Sequence, residues 1–435
     1  MFMFRKAIDY LIEWKDSKYR KPLIIRGARQ VGKTWLMREF GKVHYEKYAY
    51  INFENNERMA SLFSGDLNIE RIVTALQIEA GVTIDAANTL IIFDEVQEVP
   101  KALTSLKYFC ENAPEYHIIA AGSMLGIALH PGTSFPVGKV EFLGLYPLDF
   151  SEFIRAMGHN DLVQLLKSQD FSLITSFKGR YIDLLRQYYY IGGMPEAVAT
   201  FVETSDYGRV REVQNRLLAA YEQDVSKHAP NEVVPRIRML WDSIPSQLAR
   251  ENRKFVYGLI RQGARAREYE LAMTWLIDYG LVYKVSRISK PDMPLTAYQD
   301  HRAFKLFLLD VGLLSAISRL DLRSLLEGNR IFEEFKGALT EQYVLQQLLA
   351  NSIRPFYWSA KKSTAEVDFV YQSEMNVIPL EVKATENLQA KSLKSYCQRY
   401  RPEYAIRTSM SDYRQEDSLT NLPLYAINIL PDYTV

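Results

Sequence analysis

The sequence predicts an α/β chain, and three observations carry that expectation. Short apolar runs at Pro22–Ile25, Tyr48–Phe53, Leu90–Phe93 and His117–Ala121 are each bounded by polar or turn residues, with helix-length segments between them. Such runs read as parallel strands buried on both faces and joined by crossover helices. The first run leads into Gly27-Ala28-Arg29-Gln30-Val31-Gly32-Lys33-Thr34, a glycine-bearing turn that opens the helical stretch Thr34–Phe40. After a mainly helical middle the alternation returns, with a helix around Gly337–Ala350 and strands at Val367–Tyr371 and Val377–Val382.

Bulk properties bound the rest. At 435 residues the chain has room for roughly three domains of about 150 residues each. Its 48% hydrophobic and 24% charged residues are the mix of globular domains with real cores. Mean hydropathy is −0.18, and no apolar run approaches the roughly 18 residues that span a bilayer, so no membrane partner is expected. Met1–Trp14 mixes Arg5, Lys6, Asp9 and Glu13 among its apolar residues, which reads as an amphipathic helix and not as a signal peptide. Cys110 and Cys397 lie far apart, outside any metal-ligand spacing, so a reduced, cytoplasmic location is expected. The formal net charge of +1 excludes a polycation. Nucleic-acid affinity would have to come from local patches, because neutralising phosphates is what drives it.

From about 150 to 230 the pattern is helical, interrupted at Ile191-Gly-Gly-Met-Pro195, a natural break between helical bodies. Residues 231–300 hold helical segments followed by Gly280–Ile288, which alternates like a strand.

Gly27–Thr34 matches G-x-x-x-x-G-K-[ST] in the right context, a strand before and a helix after. The glycines let the loop curl so that backbone N–H groups face phosphates, and the helix N-terminus adds a favourable dipole. Lys33 would neutralise β- and γ-phosphates and Thr34 would ligate Mg²⁺. An ordinary glycine turn explains neither the lysine nor the threonine. Leu90–Glu95 is a buried-strand run ending in two carboxylates. Asp94 would hold the Mg²⁺ through its shell, and Glu95 would orient or deprotonate the attacking water. Two acids after a strand can also be a solvated loop start; the upstream loop favours the site reading. His117–Ser123 is a further strand ending in a hydroxyl, which makes Ser123 a candidate γ-phosphate sensor.

In this order, Arg26–Thr34, Phe93–Gln97, Ala121–Ser123, Leu145–Phe150, Gly192–Glu196, Phe304–Gly312 and Glu381–Lys383 resemble the AAA-type ATP-binding proteins of bacteria and archaea that carry a C-terminal nuclease-like domain of unknown function. The resemblance covers nearly the whole chain. It implies a P-loop AAA-type ATPase domain over residues 1–190, a helical lid or connector over 191–230, a winged-helix-like domain over 231–320 and a PD-(D/E)XK, restriction-endonuclease-like α/β domain over 321–435. Its cofactors would be ATP and Mg²⁺. Where such proteins often place an arginine, this chain has Lys139, and Arg29 inside the loop is a weak substitute.

In the middle region the basic segment Arg261–Arg267 precedes the helical stretch Glu268–Tyr279, as a groove-entering helix would require. Glu268, Glu270 and Asp278 on that helix disfavour close approach to DNA, and winged helices also serve as packing modules.

Toward the C-terminus, Glu341 in a helix, Asp368 in Ala365–Phe369 and Glu381 with Lys383 form a constellation. Strand alternation puts Glu381 and Lys383 on one face, and Asp368 joins them if the neighbouring strand is in register. This resembles the PD-(D/E)XK nuclease signature. In that reading Asp368 and Glu381 bind one or two Mg²⁺, Glu341 completes the metal shell and Lys383 positions the water or stabilises developing charge. Glu-x-Lys alternation is also common on half-exposed strands.

Three functions compete. The first is a nucleotide-controlled enzyme acting on nucleic acid, DNA above all. The second is a regulatory ATPase switch or scaffold, a homo-oligomer whose assembly follows nucleotide state. The third is a DNA-binding regulator that uses its winged helix, for which Arg265 and Arg267 would be the contacts.

Overall fold

A computed structural model describes residues 3–122, 136–250, 254–323, 333–360, 364–386 and 390–430. Two compact units form: one holds Phe4–Tyr146 and Asp278–Gly280, the other Met1–Met3, Pro147–Ile277 and Leu281–Val435.

In the first unit, β1 (Leu23–Arg26), β2 (Lys47–Asn52), β3 (Thr89–Asp94), β4 (His117–Ala121) and β5 (Glu141–Gly144) make a parallel sheet in the order β2-β3-β4-β1-β5. Every residue of β3 and β4 is buried, which is why both read as unbroken apolar runs. The helices Lys33–His44, Glu57–Ser64, Ile69–Ala80 and Pro100–Asn112 cross between the strands. Their starts follow local chemistry: the Asn56 and Asn68 side chains accept from Met59 N and Arg71 N, and Pro100 opens its helix where no donor is needed. Phe53, Phe63 and Phe93 pack edge to face with ring centroids 5.1–6.1 Å apart, closing one side of the sheet. The sheet edge β5 leaves no apolar run to read, because its four residues alternate and Phe142 is exposed.

The second unit begins with helices, the longest being Tyr207–His228. The break at Ile191–Pro195 has a steric cause. A Cβ on Gly193 would lie 2.1 Å from the Leu148 carbonyl oxygen, and one on Gly192 would lie 2.1 Å from Asp310 Oδ1. Asp310, wholly buried, accepts from Gly193 N at 2.6 Å, caps the helix Val311–Ile317 through Leu313 N at 3.0 Å and accepts from Gln346 Nε2 at 3.0 Å. One carboxylate thus ties the glycine turn to two helices.

The sheet of this unit is mixed and eight-stranded. β6 (Val282–Ile288), β7 (Gln299–Leu308), β8 (Phe356–Ser359), β9 (Glu366–Ser373), β10 (Asn376–Val382), β11 (Ala405–Ser409), β12 (Arg414–Glu416) and β13 (Leu419–Pro423) run in the order β12-β13-β11-β10-β9-β8-β6-β7. β6 and β7 form an antiparallel hairpin, and β6 pairs in parallel with β8. The hairpin over 282–308 therefore lies in one sheet with the C-terminal strands. The helix Glu333–Ala350 contributes Ala338, Leu339, Tyr343, Val344 and Leu345 to the buried interior.

Among the described residues, no helix is long and apolar enough to cross a membrane.

Candidate functional site

The phosphate loop is set by β1 and the helix Lys33–His44. Gly27 is forced by its neighbour, since a Cβ there would sit 2.2 Å from the Leu145 carbonyl oxygen. Gly32, with φ 95°, takes the left-handed conformation that starts the helix. Gln30 does the same at φ 64° without being glycine, a local strain of the kind that functional loops hold. Lys33 is buried, and its Nζ donates to the carbonyls of Gly27 at 2.9 Å and Ala28 at 2.8 Å. Burial lowers its pKa to about 8, partly offset by Glu95 and Asp94 and reinforced by Arg29.

Across the sheet, Asp94 at the end of β3 is buried. Its Oδ2 accepts from Thr34 Oγ1 at 2.7 Å and from Tyr50 OH at 2.8 Å. Burial and the bond to Asp94 hold the Tyr50 hydroxyl well above its ordinary pKa, so it remains a donor. Glu95 follows in the left-handed region at φ 50°, and its Oε2 accepts from Gln97 Nε2 at 2.7 Å. The structure thus brings Lys33, Thr34, Asp94 and Glu95 to one place. Ser123 lies outside the described residues. Lys139 pairs with Glu111 at 2.9 Å on the surface of the same unit.

Two residues that sequence reasoning missed support the loop. Arg5, buried, donates to Val31 O at 3.0 Å and to Tyr146 O at 2.5 Å, pinning the loop from outside. Tyr50 holds the acid. Arg5 is hidden because nothing marks a lone arginine near an amphipathic helix as a loop strut. Tyr50 sits in a strand whose pattern gives no hint of a polar target.

The second unit holds a cavity of about 860 Å³. Glu341, Asp368, Glu381 and Lys383 all line it, together with Glu366, Arg250, Lys254 and Arg287. The β9–β10 register ends with Leu380 opposite Phe369, one residue short of Glu381 and Asp368. Asp368 Oδ2 accepts from Val382 N at 2.8 Å, and Lys383 Nζ pairs with Glu381 Oε1 at 2.7 Å. Burial and the nearby Asp368 carboxylate raise the Glu381 pKa to about 7, against the pull of Lys383 and Lys305. Lys305 on β7, also missed in the sequence, pairs with Glu366 at 2.6 Å and Glu341 at 3.5 Å. Among the described residues, no group of three His, Cys, Asp or Glu side chains is close enough to hold a metal ion.

Comparison with known sequences bears on the first of these places. Residues 19–154 match the family described as AAA domain. The first unit carries an AAA-type ATPase domain. Nucleotide-binding ATPase character attaches to that region of the chain. Residues 182–324 match a domain of unknown function (DUF8612), and residues 336–427 match another (DUF4143). Among curated proteins, none matches the chain. Two solved structures are similar over 74% of this chain and 93% of their own. They are the Aeropyrum pernix ORC1 protein in complex with DNA, at 14% identity and TM-score 0.27, and Cdc6p from Pyrobaculum aerophilum, at 11% and 0.25. Likenesses that distant say nothing about the partners of this chain.

Proposed function

We propose that the chain binds and hydrolyses ATP with Mg²⁺ at the phosphate loop, and that nucleotide state controls a nuclease-like C-terminal domain that cleaves or binds DNA. The observation that carries the first half is the bridge from Thr34 Oγ1 to Asp94 Oδ2 beside a lysine that donates to carbonyls of its own loop. Gly27, Ala28, Arg29, Gln30, Val31 and Gly32 supply the curled backbone around the phosphates, and Lys33 exchanges its carbonyl partners for phosphate oxygens. Thr34 and Asp94 fit Mg²⁺, because a hydroxyl and a buried carboxylate already share one point. Bound there, Mg²⁺ supplies charge neutralisation for the phosphates. Glu95, aimed by its left-handed backbone and by Gln97, orients the attacking water. The two free cysteines, Cys110 and Cys397, accord with the cytoplasm as its location.

In the C-terminal cavity, Asp368 and Glu381 with Glu341 are the candidate Mg²⁺ ligands, and Lys383 positions water or stabilises charge. A second reading, a regulatory switch or scaffold whose nucleotide state governs homo-oligomer assembly, is favoured by one observation. The cavity carboxylates already have internal partners, and no three-ligand group exists among the described residues. Incubating the full chain with plasmid, linear and branched DNA plus Mg²⁺ and ATP separates the two. Cleavage lost in Asp368→Ala and dependent on ATP supports the nuclease. Wild type and Asp368→Ala alike inert on every substrate, with assembly changing on ATP addition, leaves the switch.

A further inference from the structure

We infer that Gly280 is the residue through which the phosphate loop acts on the chain beyond the first unit, by way of the helix end and the strand that flank this glycine. The inference rests on reading Gly27–Thr34 as a triphosphate site, and it gives the proposed nucleotide control of the C-terminal cavity a physical route.

Asp278–Gly280 belongs to the first unit, although the chain on both sides of it belongs to the second. Gly280 has φ 72°, in the left-handed region, and a Cβ placed on it would lie 3.3 Å from Ala28 N and 3.6 Å from Ala28 Cα. The glycine therefore lies directly against the phosphate loop. Ala28 is buried, and its carbonyl accepts from Lys33 Nζ at 2.8 Å. When a triphosphate takes that ammonium, the Ala28 peptide loses a partner and the backbone around it readjusts. Gly27, beside it, already abuts the Leu145 carbonyl, where a Cβ would lie 2.2 Å from the oxygen. The start of the loop has little slack, so a shift of Ala28 is felt at Gly280.

The segment is built to hand such a shift on. The helix Ala266–Asp278 ends here, and Leu281 N donates to Leu276 O at 3.0 Å, the bond that spans a left-handed glycine at a helix end. Leu276 and Leu281 are both buried, and close packing ties them to their surroundings. Leu281 O in turn accepts from Leu309 N at 2.9 Å, and β6 starts at the next residue, Val282. Further along β6, Arg287 lines the C-terminal cavity. Gly81 shows what a helix-end glycine looks like without this role. It ends the helix Ile69–Ala80 at φ 65°, and a Cβ there would meet nothing within 4 Å.

The test is hydrogen exchange of the full chain, read by mass spectrometry with and without Mg²⁺ and a non-hydrolysable ATP analogue, whose binding is followed by calorimetry. Exchange in peptides covering residues 276–282 is expected to change on binding, together with that of the phosphate loop. Gly280→Asn keeps a left-handed backbone that asparagine tolerates, but adds the Cβ that meets Ala28. It should weaken analogue affinity by at least about fivefold, the low end of ordinary coupling between sites. Gly81→Asn makes the same backbone change in open space and should leave affinity unchanged. If Gly280→Asn does not fold, the exchange result decides alone. Unaltered exchange at 276–282 while the analogue binds, or equal affinities in the two asparagine variants, would overturn the inference and leave the nucleotide site in place. No binding of the analogue to the wild type would overturn the nucleotide reading itself.

Discussion

Lys33 and Lys305 are both buried beside carboxylates at strand ends, yet they are held in opposite ways. Lys33 bonds carbonyl oxygens of its own loop, neutral partners that a phosphate can displace. Lys305, fully buried, is held in ion pairs with the half-buried Glu366 and the buried Glu341. A displaceable lysine belongs to a binding site, whereas a locked one belongs to the framework of its unit. The difference predicts which substitutions harm function without harming the fold, and which do the reverse.

The largest effect should fall on turnover in the first unit. Glu95→Gln keeps the side chain's size and its bond to Gln97 but removes the base, so ATP binding should persist while hydrolysis drops by about 10²–10⁴-fold. Single-turnover measurement at saturating ATP checks this, and hydrolysis at the wild-type rate would move the catalytic role elsewhere. Next, Lys305→Ala leaves the buried Glu341 and the half-buried Glu366 without their cation and should cost about 3–5 kcal/mol of stability. Lys33→Ala frees only the neutral carbonyls of Gly27 and Ala28 and should cost no more than about 1–3 kcal/mol while removing nucleotide affinity. Urea denaturation of both variants tests the contrast directly, and similar stability losses would erase it.

Arg5→Ala should come third. It frees the buried carbonyls of Val31 and Tyr146, at a cost of about 1–3 kcal/mol, and should loosen the loop and weaken nucleotide affinity. The smallest effect is a pH dependence. With its pKa lowered to about 8, Lys33 is protonated below that value and neutral above it. Triphosphate affinity should therefore hold near pH 7 and fall above pH 8, by at most about tenfold per pH unit. A flat affinity profile from pH 7 to 9.5 would mean that the lysine charge does not contact phosphate.

The same contrast explains what the sequence made legible. The phosphate loop compresses its geometry into eight consecutive residues, Gly27–Thr34, because a strand, a turn and a helix start are all local. Asp94 and Glu95 were visible because β3 is buried on both faces and ends abruptly in acid. Four of the five strands in that sheet announced themselves as apolar runs, and β5 did not because only half of it faces inward. The C-terminal cavity draws on β6, β8, β9, β10 and the helix Glu333–Ala350, so no window of sequence contains it. Asp368, Glu381 and Lys383 could be picked out as a pattern on neighbouring strands. Lys305 could not, because its partners are 36 and more residues away and only the sheet order β9-β8-β6-β7 brings β7 near them. Asp310 was hidden for the same reason: its hydrogen bonds to Gly193 and Gln346 explain the Gly-Gly break only once the fold is known.

The most direct test is calorimetric titration of the full chain with ATP in the presence of Mg²⁺, alongside Lys33→Ala. One ATP bound per wild-type chain, with no detectable binding to Lys33→Ala, is the predicted result. No heat with wild type, or equal affinity in the variant, would contradict a nucleotide site built on this loop.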